Sequence, residues 1–526
     1  MALEIILAFG MFIAAIGALL AGYPVALTLG GVALIFALIG MTLGVFPASI
    51  LQSLPSRIQG GSIMQNETLV AVPLFVLMGV ILERSKVAED LLHIASRLLA
   101  GVRGGLGYAV VLVGALLAAS TGIVGATVIT MTLIALPSML KQNYDPKLAT
   151  GTIAASGTLG QIIPPSIVLI LLADAVSNAA SQAASQMNSA SFVVSVGDLF
   201  AGALLPGLIL VGLYLAWIAV NACLRPERCP SATETASAPL TRKEVLFGLG
   251  APLLLIFAVL GAILSGVATP TEAAAIGVAG AILLAGSRLA EDEDAMLVRI
   301  VYAAFASMAV ILLVRNLVDL RLGVSGAGAA SYVGVAVALL ASIVFFAGLL
   351  AGMTILYRKA QLTPALKSGV HITAMVFLIL IGASLFSLVF RGFGGDEIVA
   401  ELLHSVPGGK WGALAGAMLV MFLLGFFLDF IEIVFVVVPL VTPPLIIMGF
   451  DPVWLAILMA LNLQTSFLTP PFGFALFYLR GAAPDRIQTV DIWRGAIPFI
   501  GLQLLIILLV ATMPQLATWL PSLVAQ

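Results

Sequence analysis

Two Pro-Pro pairs interrupt apolar sequence in this chain, Pro164-Pro165 in GTLGQIIPPSIVLILL and Pro470-Pro471 in NLQTSFLTPPFGFALF, and they lie 306 residues apart. A proline lacks a backbone N–H and clashes with the carbonyl four residues earlier, so each pair stops a helix. In lipid, such a break must be buried in protein or line a cavity, because its polar groups find no water there. The pairs predict two interrupted helices inside a membrane protein built from related halves.

Composition leaves the membrane as the environment of the chain. Of 526 residues, 61% are hydrophobic and 9% are charged, and the mean hydropathy is +1.19, so too little polar surface exists for a soluble protein. A net charge of -2 without a basic block argues against nucleic acid as a partner. Residues 1–21 lack a basic flank and another apolar run follows at once, which predicts a retained first span.

The apolar runs predict an all-α polytopic membrane protein with about 12 transmembrane helices and two re-entrant hairpins, since a span needs about 20 helical residues. The runs are 4–21, 24–45, 69–82, 106–140, 193–222, 244–265, 268–288, 297–318, 330–356, 370–391, 411–448 and 494–519. The proline-containing segments 147–178 and 452–480 have arms of about a dozen residues, roughly 18 Å of helix, and are predicted to re-enter without crossing.

Basic residues orient this arrangement, because Lys and Arg collect in cytoplasmic loops. With both termini outside, 16 of the 23 Lys and Arg residues lie inside, whereas Lys141 and Lys147 are among those outside or within spans.

An internal repeat extends beyond the paired prolines. At the same offset of 306 residues, Pro137, Asp145 and Pro146 recur as Pro443, Asp451 and Pro452. VAEDLLHIA at 87–95 also resembles IVAELLHSV at 398–406, and the topology puts these two amphipathic segments on opposite sides. This is the pattern of an inverted repeat, which in secondary transporters places substrate and ions near the bilayer midplane.

The repeat and the spans divide the chain as follows: scaffold helices at 1–82, an arm helix at 83–105, a first transport half at 106–222, a cytoplasmic linker at 223–243, scaffold helices at 244–391 with two extra spans near 297–356, a second arm helix at 392–410, and a second transport half at 411–526.

The proline breaks suit both a cation and an anion. They free backbone carbonyls beside hydroxyl and amide side chains, which suits a hard cation such as Na⁺, and the restarting helix offers unpaired N–H groups to an anion. The residues predicted to bind an anionic substrate are Gly160, Gln161, Pro164, Pro165, Ser166, Thr469, Pro470 and Pro471. The alternative to ion or substrate binding is that these hydroxyl and amide side chains form hydrogen bonds between helices.

Two carboxylates, Asp429 and Glu432, stand in the apolar stretch FLLGFFLDFIEIVFVVVPL. Carboxylates inside a membrane are costly and usually functional, so Asp429 is predicted to bind an ion, and pairing with another helix is the alternative. Asp145, Asp451 and Thr269 precede first-turn prolines and are predicted N-caps, with Glu272 completing a capping box. Walker, HExxH, GxSxG and CxxC patterns are absent, which disfavours an enzyme.

The motifs GYPVALTLGG (22–31), YDPKLATGTIAASGTLGQIIPPS (144–166), ATPTEAAA (268–275), GASLFS (382–387) and FDPVWLAILMALNLQTSFLTPPFG (450–473) resemble the large membrane subunit of tripartite ATP-independent periplasmic (TRAP) transporters over nearly the whole chain. The resemblance implies Na⁺-driven symport of an organic anion across the bacterial inner membrane by an elevator mechanism. It also implies a small four-helix membrane subunit and a periplasmic substrate-binding protein as partners, with Na⁺ as coupling ion and no other cofactor. The alternatives are a one-component anion symporter or Na⁺/H⁺ antiporter of related fold.

Carried over by motif, the resemblance implies two sodium sites. The first would use Ser120, Thr121, Gly122, Ser156 and Thr158, and the second would use Asp429, Asn462, Thr465 and Thr469. Many relatives carry an aspartate after the first small-residue break, where this chain has Thr127, so the first site is expected to lack a carboxylate.

Overall fold

The structure is a computed structural model that describes residues 2–60, 63–189, 193–231, 241–320 and 329–524. All regular elements within these ranges are helices. Eleven of them are long and apolar enough to cross a bilayer by length and composition. The chain is an all-α polytopic membrane protein, as predicted from its hydropathy.

The α-helices up to the cytoplasmic linker are α1 Ala2–Leu20, α2 Val25–Thr42, α3 Ser49–Gln52, α4 Leu54–Gln59, α5 Glu67–Arg84, α6 Val87–Leu98, α7 Gly105–Thr121, α8 Val124–Lys141, α9 Pro146–Thr158, α10 Ile167–Gln186 and α11 Val196–Leu224. Those after it are α12 Arg242–Val245, α13 Ala251–Leu264, α14 Pro270–Leu289, α15 Ala295–Leu317, α16 Ala329–Arg358, α17 Leu362–Gly392, α18 Gly395–Ser405, α19 Gly409–Leu424, α20 Phe430–Glu432, α21 Val438–Ile447, α22 Pro452–Leu468, α23 Phe474–Ala482, α24 Thr489–Thr512 and α25 Gln515–Val524. The predicted extra spans near 297–356 correspond to α15 and α16, which pack against each other and on α14.

The predicted helix caps are confirmed. The Asp145 side chain accepts a hydrogen bond from the Lys147 N–H at 2.8 Å, and Asp451 accepts one from the Trp454 N–H at 2.8 Å. Thr269 and Glu272 form the reciprocal capping box at the start of α14. A side-chain oxygen here replaces the missing intrahelical partner of a first-turn N–H, which fixes where α9, α14 and α22 begin.

The run 106–140 is a re-entrant hairpin, and its prediction as a single crossing was wrong. It breaks at Gly122–Ile123 into α7 and α8, whose outer ends lie at the same place. The Gly104 N–H before α7 donates to the Cys229 carbonyl at 3.0 Å, and the Asp145 N–H after α8 donates to the neighbouring Arg228 carbonyl at 2.9 Å. A chain that leaves and returns to one site cannot have made a single crossing.

The segment predicted as the first hairpin, 147–178, is instead part of an interrupted crossing. It contains α9, a break at 159–166 and then α10, which has 20 residues rather than about a dozen. Since α11 runs 29 residues back to the neighbourhood of Arg228, α10 must end on the opposite side from the start of α9. The second arm is long because the apolar run after Pro165 continues into the helix-forming Ala-rich sequence beyond position 178.

The second repeat is arranged in the same way. Trp411 at the start of α19 packs on Phe450, which follows α21, with ring centroids 5.3 Å apart, and on Trp454 of α22 at 6.1 Å. The segment from α19 to α21, predicted within the crossing 411–448, is therefore the second hairpin. The predicted hairpin 452–480 is a second interrupted crossing made of α22 and α23.

The interchange of hairpins and crossings in both repeats agrees better with the predicted orientation, in which both termini lie outside. Lys147 lies 3.9 Å from Asp491 at the start of α24, in the region predicted to be inside. With the first hairpin entering from that side, Lys141 and Lys147 both move inside, and 18 of the 23 basic residues become cytoplasmic. The second hairpin enters from outside.

The two repeats interlock around a pseudo-two-fold axis. Helix α10 packs against α21, and its counterpart α23 packs against α8. Thr158 and Gln464 occupy equivalent positions, 306 residues apart, and the Gln464 Nε2 donates to the Thr158 Oγ1 at 3.4 Å. Equivalent residues can touch each other only where the axis passes between them. This contact therefore places the axis at the inner ends of α9 and α22.

Candidate functional site

In the first repeat, small residues bring the hairpin tip against the interrupted helix. Gly122 has φ of +60° and closes α7, and a Cβ there would lie 3.0 Å from the backbone N of Ile167, the first residue of α10. On α7, a Cβ at Gly114 would lie 2.5 Å from the Cβ of Ser156. Glycine permits both the left-handed turn and the close approach. The predicted residues Gly122 and Ser156 are thus in adjoining elements; the side chains of Ser120 and Thr121 lie outside the part that the structure describes.

The hydroxyl groups of this first site satisfy nearby carbonyls. Ser156 Oγ donates to the Thr152 carbonyl at 2.6 Å, and Ser166 Oγ donates to the Gly160 carbonyl at 2.7 Å. The Gly160 carbonyl lies four residues before Pro164 and was therefore expected to lack a hydrogen-bond donor. It accepts one from Ser166 of the same loop. A hydroxyl that donates its hydrogen still has oxygen lone pairs, so it can also accept a hydrogen bond or bind a cation.

The second repeat joins its hairpin tip and helix break through aromatic and polar contacts. Phe427 in the tip packs on Phe472 in the break, with ring centroids 5.3 Å apart. The Asn462 Nδ2 donates to the Met418 carbonyl at 2.8 Å, which ties α22 to α19. Thr465 and Thr469 donate to carbonyls within α22, at 2.8 and 2.7 Å. Three of the predicted second-site residues, Asn462, Thr465 and Thr469, therefore lie along α22 and its C-terminal cap, beside the second hairpin.

Asp429 and Glu432 cap the helix that restarts after the second hairpin tip. The Phe430 N–H donates to Asp429 Oδ1 at 2.7 Å, and the Asp429 N–H donates to Glu432 Oε2 at 3.1 Å. This is a reciprocal N-cap rather than the pairing with another helix considered from the sequence. In each carboxylate these two hydrogen bonds engage one of the two oxygens, Asp429 Oδ1 and Glu432 Oε2. Capping therefore does not exclude an ion at Asp429, and ion binding by Asp429 stays a prediction.

The counterpart of Asp429 in the first repeat is Ile123. The two positions differ by 306, and Ile123 is the N-cap of α8, with no side-chain hydrogen bond to the cap. Thr127 lies one turn later and donates to the Ile123 carbonyl at 3.0 Å. The repeats therefore differ at the position where a carboxylate would face the tip.

The two predicted substrate-binding breaks differ in accessibility. Gly160, Gln161, Pro164, Pro165 and Ser166 are buried, whereas Thr469 and Pro470 are half-buried and Pro471 is exposed. Both amide atoms of Gln161 are buried and have no hydrogen-bond partner among the described residues. Pro164 borders an apolar groove of about 450 Å³ between the first transport half and α13. The first break is thus closed and the second is open.

A polar cluster on the axis was not predicted from the sequence. The Gln503 Nε2 on α24 donates to the Tyr214 hydroxyl on α11 at 2.9 Å and lies 3.3 Å from Thr158 Oγ1. Gln503 and Tyr214 are fully or almost fully buried. Each stands alone in a long apolar run hundreds of residues from its partner, so no local spacing could have revealed the cluster.

A second unpredicted feature is a polar cavity of about 520 Å³ on the outer side, between α10, α17 and the return arm of the second hairpin. Its charged lining residues are Arg57, Asp174 and Arg391. Asp174 accepts a hydrogen bond from Asn66 at 2.6 Å, and Arg391 donates to Gln182 at 3.1 Å. Asp174 did give a signal, since it is a carboxylate inside the apolar run IVLILLADAV.

Interlocked inverted repeats, each with an interrupted crossing whose break meets a hairpin tip, are the architecture of secondary membrane transporters. Within that class, residues 12–314 and 285–516 match the model of the family described as the tripartite ATP-independent periplasmic transporter, DctM component, and the chain belongs to this family. It is a transporter subunit and not an enzyme.

Curated relatives extend the match over nearly the full length. The C4-dicarboxylate TRAP transporter large permease protein DctM of Vibrio cholerae is 29% identical over 98% of this chain and 97% of its own. The sialic acid TRAP transporter large permease protein SiaM of the same organism is 25% identical over 97% of each chain, and the ectoine TRAP transporter large permease protein TeaC of Halomonas elongata is 24% identical over 97% of each. Among solved structures, the Alcanivorax borkumensis YdaH transporter gives a TM-score of 0.49 at 15% identity, covering 87% of this chain and 88% of its own.

Proposed function

We propose that this chain is the large subunit of a TRAP transporter that carries an organic anion, a carboxylate, across the bacterial inner membrane by Na⁺ symport. The observation that carries the proposal is the meeting, in each repeat, of a hairpin tip with a broken helix. Gly122 approaches Ile167 in the first repeat, and Phe427 packs on Phe472 in the second. Backbone breaks at such junctions offer oxygen ligands and helix N-termini in the membrane interior.

Two sodium sites of unequal charge follow from the two junctions. The first would use Ser120, Thr121, Gly122, Ser156 and Thr158, and the second would use Asp429, Asn462, Thr465 and Thr469. Asp429 supplies a carboxylate to the second junction, while Ile123 supplies none to the first. A carboxylate neutralises a bound cation at low dielectric, so the second site is proposed to bind Na⁺ more tightly.

The substrate class and partners come from the family. Relatives are named for C4-dicarboxylate, sialic acid and ectoine, which supports a small organic substrate with a carboxylate. A small membrane subunit and a periplasmic binding protein would complete the transporter. In the proposed elevator movement, the hairpins and interrupted helices slide against scaffold helices such as α13, which lines the apolar groove together with α7 and α11.

Reconstitution tests this function. The chain and its small subunit are placed in proteoliposomes with a labelled carboxylate and the loaded binding protein outside. Accumulation is expected under an inward Na⁺ gradient and not when K⁺ replaces Na⁺. Equal uptake in Na⁺ and K⁺ would refute Na⁺ coupling, and Na⁺-driven uptake by this chain alone would instead establish a one-component symporter.

A further inference from the structure

We propose that the outer cavity between α10 and α17 is an entry site in which Arg57 and Arg391 bind the carboxylate group of the incoming anion. The proposal rests on organic-anion transport as proposed above, and it assigns a site separate from the two proline breaks. None of the eight residues predicted to bind substrate lines this cavity. Its volume of about 520 Å³ is within the range of pockets that hold small molecules.

Arg391 carries an unfilled hydrogen-bonding position. Its Nη2 donates to Gln182 Oε1 at 3.1 Å, but its Nε is buried and has no partner among the described residues. A buried donor without a partner is costly, and a guanidinium presents Nε–H and Nη–H groups in the geometry that matches a carboxylate. The described residues thus supply this guanidinium with one neutral acceptor, Gln182 Oε1, and an anion in the cavity would supply the opposite charge.

The charges around the cavity favour one negative group. Arg57 and Arg391 line the same cavity and carry the same charge, and Asp396 lines a neighbouring pocket together with Arg391. Neither arginine forms a salt bridge with a described residue. A carboxylate between the two guanidinium groups would offset their like charges.

Asp174 on the opposing α10 wall sets a limit on the ligand. Its carboxyl group accepts hydrogen bonds from Asn66 at 2.6 Å and Asn178 at 3.4 Å, so acceptor oxygens are held in place on that wall. The carboxylate of the ligand is therefore directed toward the arginines and away from α10. Hydroxyl or ammonium groups on the ligand would be favoured beside Asp174.

The cavity is also suitably placed for entry. Arg391 is in the last turn of α17, at its outer end, and Phe435 and Pro439 on the return arm of the second hairpin form another wall. The contacts of Trp411 with Phe450 and Trp454 show that this hairpin begins and ends on one side, which is the outside in the orientation predicted from the basic residues. An anion released outside thus meets the arginines on its way to the hairpin.

Cysteine protection tests the site without knowledge of the natural substrate. Cys223→Ser and Cys229→Ser remove the two native thiols, and Ser384→Cys places a reporter on the cavity wall. The purified complex in Na⁺ buffer is labelled with a maleimide at increasing succinate concentrations, with chloride at equal ionic strength as reference. Succinate is expected to slow labelling. Arg391→Gln should raise the half-protecting concentration about tenfold or more, as for a lost charge-assisted hydrogen bond, and Arg57→Gln should also raise it.

Arg315→Gln is the matched control, since Arg315 is an exposed arginine on the outer side that does not line this cavity. It should leave protection unchanged, and Arg391→Lys should retain part of it because the charge remains without the forked geometry. Size-exclusion profiles identify any variant that fails to fold, in which case Arg57→Gln carries the test. Absence of succinate protection in the parent, or equal protection in both Arg→Gln cavity variants and the parent, overturns the entry site. Loss of Na⁺ dependence in wild-type uptake would instead overturn the proposed function, so the two failures are distinguishable.

Discussion

Gly151 and Gly495 let α9 and α24 touch backbone to backbone, and enlarging one of them should loosen the first interrupted helix. A Cβ at Gly151 would lie 2.1 Å from the Gly495 carbonyl oxygen, and a Cβ at Gly495 would lie 2.1 Å from the Lys147 carbonyl oxygen. Backbone blocks both positions, so no side-chain rotation relieves the clash. Overpacking costs about 1–3 kcal/mol, and alanine recovers roughly 0.8–1.0 kcal/mol over glycine in a helix. Because this contact is at the severe end, we expect Gly151→Ala to cost about 2 kcal/mol net.

The control is Gly501→Ala on α24, the helix that carries Gly495, at a position where a Cβ would meet nothing within 4 Å. This variant should be as stable as wild type or more stable, because only the helix propensity changes. Unfolding of large membrane proteins is often irreversible, so the measured quantity is the temperature at which half of the monodisperse protein is lost, in one detergent and at one heating rate. Equal midpoints for the two variants would show that α9 and α24 are not packed as described.

Three further outcomes are expected. Asp429→Asn should raise the Na⁺ concentration that half-activates uptake by more than it lowers the thermal midpoint, and unchanged Na⁺ activation in proteoliposomes would rule out Asp429 as a ligand. In a background lacking Cys223 and Cys229, Lys147→Cys should react with an impermeant maleimide from the cytoplasmic side and Lys410→Cys from the periplasmic side; labelling of both from one side would contradict the hairpin assignment. Tyr214→Phe should lower stability by about 0.5–1.5 kcal/mol, because the Gln503 amide loses its 2.9 Å acceptor; an unchanged thermal midpoint would show that this hydrogen bond contributes nothing.

Much of the architecture could be predicted because it depends on local chemistry. Asp145, Asp451 and Thr269 cap their helices as predicted, since an N-cap and a first-turn proline act within four residues. The 306-residue repeat was likewise visible, because both breaks need proline at the same position in the helix.

The identity of the re-entrant segments could not be predicted from run lengths. A hairpin of two arms joined at Gly122–Ile123 has the same apolar length as one long crossing, and the difference is made by contacts of Gly104 and Asp145 with residues 228–229, far along the chain. The predicted arm length was also wrong, because α10 continues beyond the apolar run through Ala residues that are buried in the protein, such as Ala179, Ala180 and Ala183. The outer cavity depends on Arg57 and Arg391, which meet only after folding.

The Thr158–Gln464 contact on the pseudo-two-fold axis has a consequence for the transport cycle. Thr158 belongs to the first transport half and Gln464 to the second, so in the proposed elevator movement both residues would travel together and their contact would persist in the inward- and outward-facing states. The contact would therefore hold the two halves to each other while both slide against the scaffold. Because a short hydroxyl faces a long amide there, the two halves are joined asymmetrically even though the repeats around them are related by the axis.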